Sequence, residues 1–84
     1  MVDINNIFIE KYQFYIDIMV DCGENERGFY CRVYDKPRFI DYGDYIMPID
    51  FGDYLDDFCI DREHSKEYDD VINYISYYIE NFLI

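Results

Sequence analysis

Between Ile40 and Asp57 the chain runs IDYGDYIMPIDFGDYLDD, in which Asp41, Asp44, Asp50, Asp53, Asp56 and Asp57 stand among Tyr42, Tyr45, Phe51 and Tyr54 with no lysine or arginine. Ile40-Asp41-Tyr42-Gly43-Asp44-Tyr45 returns nine positions later as Ile49-Asp50-Phe51-Gly52-Asp53-Tyr54. Carboxylates at this density can hold a cation, work as a paired acid and base, or accept charge-assisted hydrogen bonds from arginine and lysine of another macromolecule.

The first two chemistries fit poorly. An EF-hand loop needs carboxylates at alternate positions, a central glycine and a closing glutamate at the twelfth, and IDYGDY lacks that spacing; a weak aspartate-rich cation site ranks below a binding surface. Acid–base hydrolysis needs a substrate pocket, for which a domain of 84 residues has little room. The single histidine, His64, lies in the polar run Asp61-Arg62-Glu63-His64 and reads as a solvated loop residue. A thiol–imidazole dyad would need Cys59 exposed, yet Cys59 falls on an apolar stripe if that segment is helical. Gly43 and Gly52 belong to no GxxxxGK pattern, and flanking aspartates would repel phosphate. No enzyme activity, no cofactor and no metal are expected.

The third chemistry agrees with the charge. The net charge is −12. Up to Arg38, five basic residues face seven acidic ones; from Phe39 onward only Arg62 and Lys66 oppose twelve carboxylates. Such a field repels nucleic acid and anionic membrane and steers basic surfaces inward, less so in high salt. A face that serves solubility alone mixes both signs, whereas this one accepts self-repulsion. Tyrosines beside the charges suit an interface, where the ring buries area and the hydroxyl bonds at the rim. The expected partner-binding residues are Asp41, Tyr42, Asp44, Tyr45, Asp50, Asp53, Tyr54, Asp56 and Asp57, with Asp61 and Glu63 extending the series, and the expected partner is a basic protein.

One small domain, residues 1–84, must position them. Half of the chain is apolar (51%), which places it outside the disordered regime. Cys22, Cys31 and Cys59 are odd in number and without CxxC spacing, so reduced core thiols in a cytosolic compartment are expected. The N-terminus has no basic region ahead of an apolar run, and no apolar stretch approaches the ~20 residues of a membrane span.

Asp3 with Ile4, Ile7, Phe8 and Lys11 predicts a short helix over Val2–Tyr12, although alternation of Ile7 and Ile9 permits a strand. From Tyr12 the period is two: Tyr12, Phe14, Ile16, Ile18, Val20 and Cys22 share one face, and Gln13, Tyr15, Asp17, Met19 and Asp21 the other. Gly23-Glu24-Asn25-Glu26 supplies a turn, and Phe29, Cys31 and Val33 alternate with Tyr30, Arg32 and Tyr34 in a returning strand. Asp35-Lys36-Pro37 ends it. Arg38–Ile46 predicts a third, edge strand carrying the first repeat copy, and Pro48 breaks it. Asp50 would cap a helix with Phe51, Leu55, Phe58 and Cys59 inward, so the second copy is expected to be helical. Ser65 is the expected cap of a last helix in which Tyr68, Val71, Ile72, Ile75, Tyr78, Ile79 and Phe82 follow a 3.6-residue period. The fold class is α+β: a small three-stranded antiparallel sheet packed against a C-terminal helix, with short additional helices.

On that reading the aspartates form one strand-to-helix ridge. Carboxylates three residues apart lie about 10 Å apart on a strand and about 5–6 Å apart at Cβ on a helix, and the ridge of six aspartates as a whole is expected to imitate the charge of duplex DNA. The chain resembles the small acidic inhibitors that phages carry against bacterial defence nucleases, especially anti-CRISPR proteins that act as DNA mimics. The resemblance lies in length, the acidic second half, the Ile/Asn/Asp/Tyr-rich composition and the inferred topology, with no diagnostic motif. It implies stoichiometric inhibition of a CRISPR-Cas effector in the bacterial cytoplasm, with carboxylates paired to the arginines and lysines that read target DNA. An immunity protein against a nuclease toxin would use the same electrostatics, and a phage adaptor or assembly protein would use apolar faces.

Overall fold

The computed structural model describes residues 2–21, 23 and 28–84, with Pro48 described by its backbone alone. Cys22 and the turn residues Glu24, Asn25 and Glu26 lie outside the described residues. The period-two segments form β2 (Phe14–Asp21) and β3 (Gly28–Asp35), paired antiparallel with Ile16 opposite Val33 and Ile18 opposite Cys31. They are the centre of a four-stranded antiparallel sheet, flanked by β1 (Asn6–Ile9) and β6 (Asp53–Ile60) in the order β1-β2-β3-β6. A second, two-stranded sheet consists of β4 (Arg38–Asp41) and β5 (Ile46–Asp50). After one 3₁₀ turn, Arg62–His64, comes α1 (Tyr68–Tyr78), whose last turn widens into a π-helical segment, Ile79–Leu83.

One face of the large sheet carries Phe14, Ile16, Ile18, Phe29, Cys31, Val33, Phe58 and Ile60, and these join Val71, Ile75 and Ile79 of α1 in a single core. Burying each such large aliphatic or aromatic side chain contributes about 1.5–3 kcal/mol. The class is α+β with an antiparallel sheet under a C-terminal helix, as composition and periodicity imply.

The details differ where local pattern competed with an open strand edge. The N-terminal segment is a strand rather than a helix: Ile7 pairs with Ile16 and Ile9 with Phe14. A helix that short would need packing to persist, whereas the free edge of β2 offers a ladder. The segment after Asp50 is likewise a strand, because β3 presents its other edge: Phe29 pairs with Ile60, Cys31 with Phe58 and Arg32 with Asp57. Phe58 and Ile60 are buried at period two, while Leu55 and Cys59, assigned inward by the helical reading, are exposed. The predicted strand Arg38–Ile46 is instead β4 plus a turn, and Pro48 does not end the structure but sits in β5 opposite Phe39. A two-stranded sheet has only edge strands, where a missing N–H is tolerated.

Ser65 is not the helix cap. It is buried, and its hydroxyl donates to the Asp61 carbonyl at 2.9 Å. Glu67 holds the cap position, and its N–H donates to the Asp70 carboxylate at 3.3 Å. Tyr68 and Phe82, at the two ends of the predicted stripe, are exposed.

The face of the sheet away from α1 is ordered in cross-strand rungs. The register aligns Phe8, Tyr15, Tyr34 and Tyr54 across all four strands, then Asn6, Asp17, Arg32 and Asp57, then Met19, Tyr30 and Cys59. The aromatic rung is capped by residues beside the small sheet: Phe51 stacks on Tyr15 (centroids 4.7 Å apart) and meets Tyr34, and Phe39 meets Phe8 edge-on at 5.0 Å. Tyr15, on the face expected to be polar, is therefore only 4% exposed.

Candidate functional site

The repeated hexapeptide encodes a turn, twice. In each copy the first aspartate ends a strand and its Oδ1 accepts a hydrogen bond from the glycine N–H two residues on: Gly43 to Asp41 and Gly52 to Asp50, both 2.8 Å. The glycines have φ of +93° and +99°, the left-handed region that favours glycine. The two copies therefore share an aspartate–glycine turn between strands, correcting the expectation of one extended and one helical copy, although the first closes a hairpin within one sheet and the second links the two sheets. The first joins β4 to β5, with Tyr42 N–H donating to the Tyr45 carbonyl at 2.9 Å; the second joins β5 to β6.

This geometry divides the predicted acidic ridge. Asp41 and Asp44 lie at one end of β5 and Asp50 and Asp53 at the other, about 16 Å apart at the rise of a five-residue strand. Asp56 and Asp57, adjacent on β6, point to opposite faces. Asp56 accepts a hydrogen bond from Tyr78 of α1 at 2.7 Å; Asp57 accepts from Tyr30 at 2.6 Å and Tyr54 at 2.9 Å on the other face. Asp61 and Glu63 lie past the far end of β6. The eleven residues thus form a turn cluster at each end of β5, a tyrosine-bound pair on β6, and a 3₁₀ turn.

Several carboxylates are already engaged within the chain. Tyr30 and Tyr54 hold Asp57 below the usual carboxylate range, and Asp57 in return pushes Tyr30 up to about 12 and raises Tyr54. The hydrogen bond to Asp56 raises Tyr78 to about 12. The Gly52 N–H and then the Arg38 guanidinium, 2.9 Å from Oδ2, lower Asp50. His64 lowers Asp61: its Nδ1 lies 2.8 Å from Oδ1, and its backbone N–H bonds the same oxygen. Among the described residues the Asp44, Asp53 and Glu63 carboxylates make no hydrogen bond or ion pair, leaving them open to an incoming cation.

Around the turns the surface is also apolar. Tyr42 and Tyr45 stack on each other, centroids 5.0 Å apart, and both are more than half exposed. Ile46 (64% exposed), Met47 and Ile49 (63%) lie between the two acidic turns. Phe51, expected inward, is 37% exposed and stacks on Tyr15 outside the core, and Leu55, also expected inward, is exposed. The partners Tyr30, Arg38 and Tyr78 escaped sequence reading, because each meets its aspartate only through the strand assignment of residues 46–60. The turns themselves had a readable signal, aspartate two residues before glycine, given twice.

Among the described residues no three or more His, Cys, Asp and Glu side chains are grouped to hold a metal ion, and no helix is long and apolar enough to cross a membrane. No protein-family model, curated protein or solved structure matches the chain.

Proposed function

We propose that this protein is a stoichiometric inhibitor that uses its acidic, tyrosine-bearing turns to occupy the nucleic-acid-binding groove of a basic nuclease, a CRISPR-Cas effector in the bacterial cytoplasm. The observation that carries this reading is the duplicated turn. Two aspartate–glycine turns carry Asp41, Tyr42, Asp44 and Tyr45 at one end of β5 and Asp50, Asp53 and Tyr54 at the other, with Arg38 paired to Asp50. Carboxylates fixed at two points about 16 Å apart can receive arginine and lysine side chains from two sites of a groove at once. Exposed tyrosines beside them supply contact area at low entropic cost.

Asparagine tests this without dismantling the turns, since its side-chain oxygen can still accept the glycine N–H. The chain is titrated into guide-loaded Cas effectors and target-DNA binding is followed by fluorescence anisotropy. The expected result is loss of DNA binding at one inhibitor per effector, weaker at high salt. The variant D41N/D44N/D50N/D53N should inhibit at least tenfold less, because a single charge-assisted hydrogen bond contributes about 1.5–3 kcal/mol. Failure to inhibit any effector, or equal inhibition by the variant, refutes the reading.

A second reading, a phage adaptor, is favoured by the exposed Ile46, Met47 and Ile49. Replacing those three with serine would then abolish partner capture, with little dependence on salt.

A further inference from the structure

Away from the acidic turns, α1 carries Asp70, Asn73, Tyr74 and Tyr77 at i, i+3, i+4 and i+7, one stripe of the helix beside its buried face. With His64 from the preceding 3₁₀ turn they line an open groove of about 510 Å³, within the range of small-ligand sites. Three of its five lining side chains are rings set at angles to each other: His64 and Tyr74 have centroids 5.2 Å apart and planes 51° apart, and Tyr74 and Tyr77 are 6.4 Å and 53° apart. These three rings therefore wall one groove at different inclinations.

The walls are held by contacts outside the groove. His64 is fixed by Asp61, which bonds both its Nδ1 (2.8 Å) and its backbone N–H (3.1 Å), while Ser65 Oγ ties the same turn back to the Asp61 carbonyl. A carboxylate can only accept, so Nδ1 carries the proton in that bond. Tyr74 is anchored by stacking on Phe58 of the core at 6.1 Å. Burial and then the Asp61 charge raise its pKa. The Asp70 carboxylate completes the lining.

Inclined electron-rich rings with a carboxylate at hand, on a chain of net charge −12, favour one ligand chemistry. A cation over an aromatic face gains from the ring quadrupole, an anion would be repelled by Asp70, and a purely apolar ligand would gain nothing from that carboxylate, whose Oδ2 accepts the Glu67 N–H at 3.3 Å. We propose that this groove binds an organic cation, an alkylammonium or guanidinium head on a slender stem. The site is independent of the acidic turns and of any nuclease partner.

The test follows the imidazole proton signals of His64, the chain's only histidine, by NMR at constant ionic strength. The probes are tetramethylammonium, the N-acetyl methylamides of lysine, trimethyllysine and arginine, and the neutral isostere 3,3-dimethylbutanol. The cationic probes should shift the signals saturably and bind at least fivefold more tightly than the alcohol. Tighter binding of the amino-acid amides than of tetramethylammonium identifies a protein side chain as the source of the cation; the reverse identifies a free small molecule.

Tyr77, 57% exposed, can be replaced without opening the core. Tyr77→Ala should weaken binding at least threefold, Tyr77→Phe should stay within twofold of wild type, and Asn73→Lys, which sets a fixed cation at the exposed Asn73 position, should abolish it. Equal affinity for the neutral alcohol, no saturation by any cation, or unchanged binding in folded Asn73→Lys overturns the proposal. None of these outcomes bears on nuclease inhibition.

Discussion

Gly43 and Gly52 occupy equivalent places in two copies of nearly identical sequence and have nearly the same φ, yet they should respond very differently to alanine. Both have φ near +95°, where an L side chain costs roughly 1–2 kcal/mol. At Gly43 an added Cβ meets nothing within 4 Å. Gly43→Ala should therefore cost about 1 kcal/mol or less, since alanine also restricts the unfolded chain by about 0.4–1 kcal/mol. At Gly52 the same Cβ would lie 2.0 Å from the Asp35 carbonyl oxygen and 2.9 Å from the carbonyl carbons of Asp35 and Lys36. These are backbone atoms at the end of β3, so the entry to β6 must shift. That overpacking adds about 1–3 kcal/mol to the strain. A chain this long holds about 4–13 kcal/mol in total, so Gly52→Ala removes a large share of it. Urea denaturation followed by circular dichroism should place Gly43→Ala near wild type and Gly52→Ala lower by about 2–4 kcal/mol. On heating, each kcal/mol lowers the Tm by roughly 4–8 °C. Equal losses, or a larger loss at Gly43, would refute the close approach of the second turn to β3.

Two further outcomes are expected. Phe51→Ala removes the ring stacked on Tyr15; because Phe51 is 37% exposed, the loss should be about 1–3 kcal/mol rather than the ~3–5 of a fully buried phenylalanine, with amide protection falling first in β4 and β5 while β2 and β3 keep theirs. The second concerns the Asp57 cluster, where Tyr30 is raised to about 12: its contribution is complete below pH 10 and is lost as pH climbs to 12, whereas Asp57, being lowered, contributes above the ordinary carboxylate range and loses its contribution as pH falls through its folded value. The denaturation midpoint of wild type should thus fall more steeply between pH 10 and 12 than that of Tyr30→Phe, and identical slopes would show that the Tyr30–Asp57 bond does not form in solution.

Much of the fold was legible in the chain. Alternation in Phe14–Val20 and Phe29–Tyr34 and the 3.6-residue recurrence of Val71, Ile75 and Ile79 locate the hairpin, the helix and the core, because each pattern matches the face that one element must bury. The segment after Asp50 misled for a definite reason. Phe51, Leu55, Phe58 and Cys59 satisfy a helical stripe, while Phe58 and Ile60 also satisfy a strand, and periodicity in eight residues cannot choose between them. The vacant edge of β3 chose. The same omission concealed that the repeated hexapeptide is one turn used twice, and it made a broken set of acidic clusters look like a continuous ridge.

By itself, then, the sequence determined the charge and its concentration after Phe39, the α+β class, the central hairpin and the C-terminal helix, since these depend on composition and on patterns internal to one element. Tertiary structure alone decided that Asp56 and Asp57 point to opposite faces, that Tyr15 is buried under Phe51, and that His64 closes a groove with Tyr74 and Tyr77. Each of these depends on which strand takes which edge, and backbone hydrogen bonding to a neighbour distant in sequence outweighs a local pattern that fits two structures equally well.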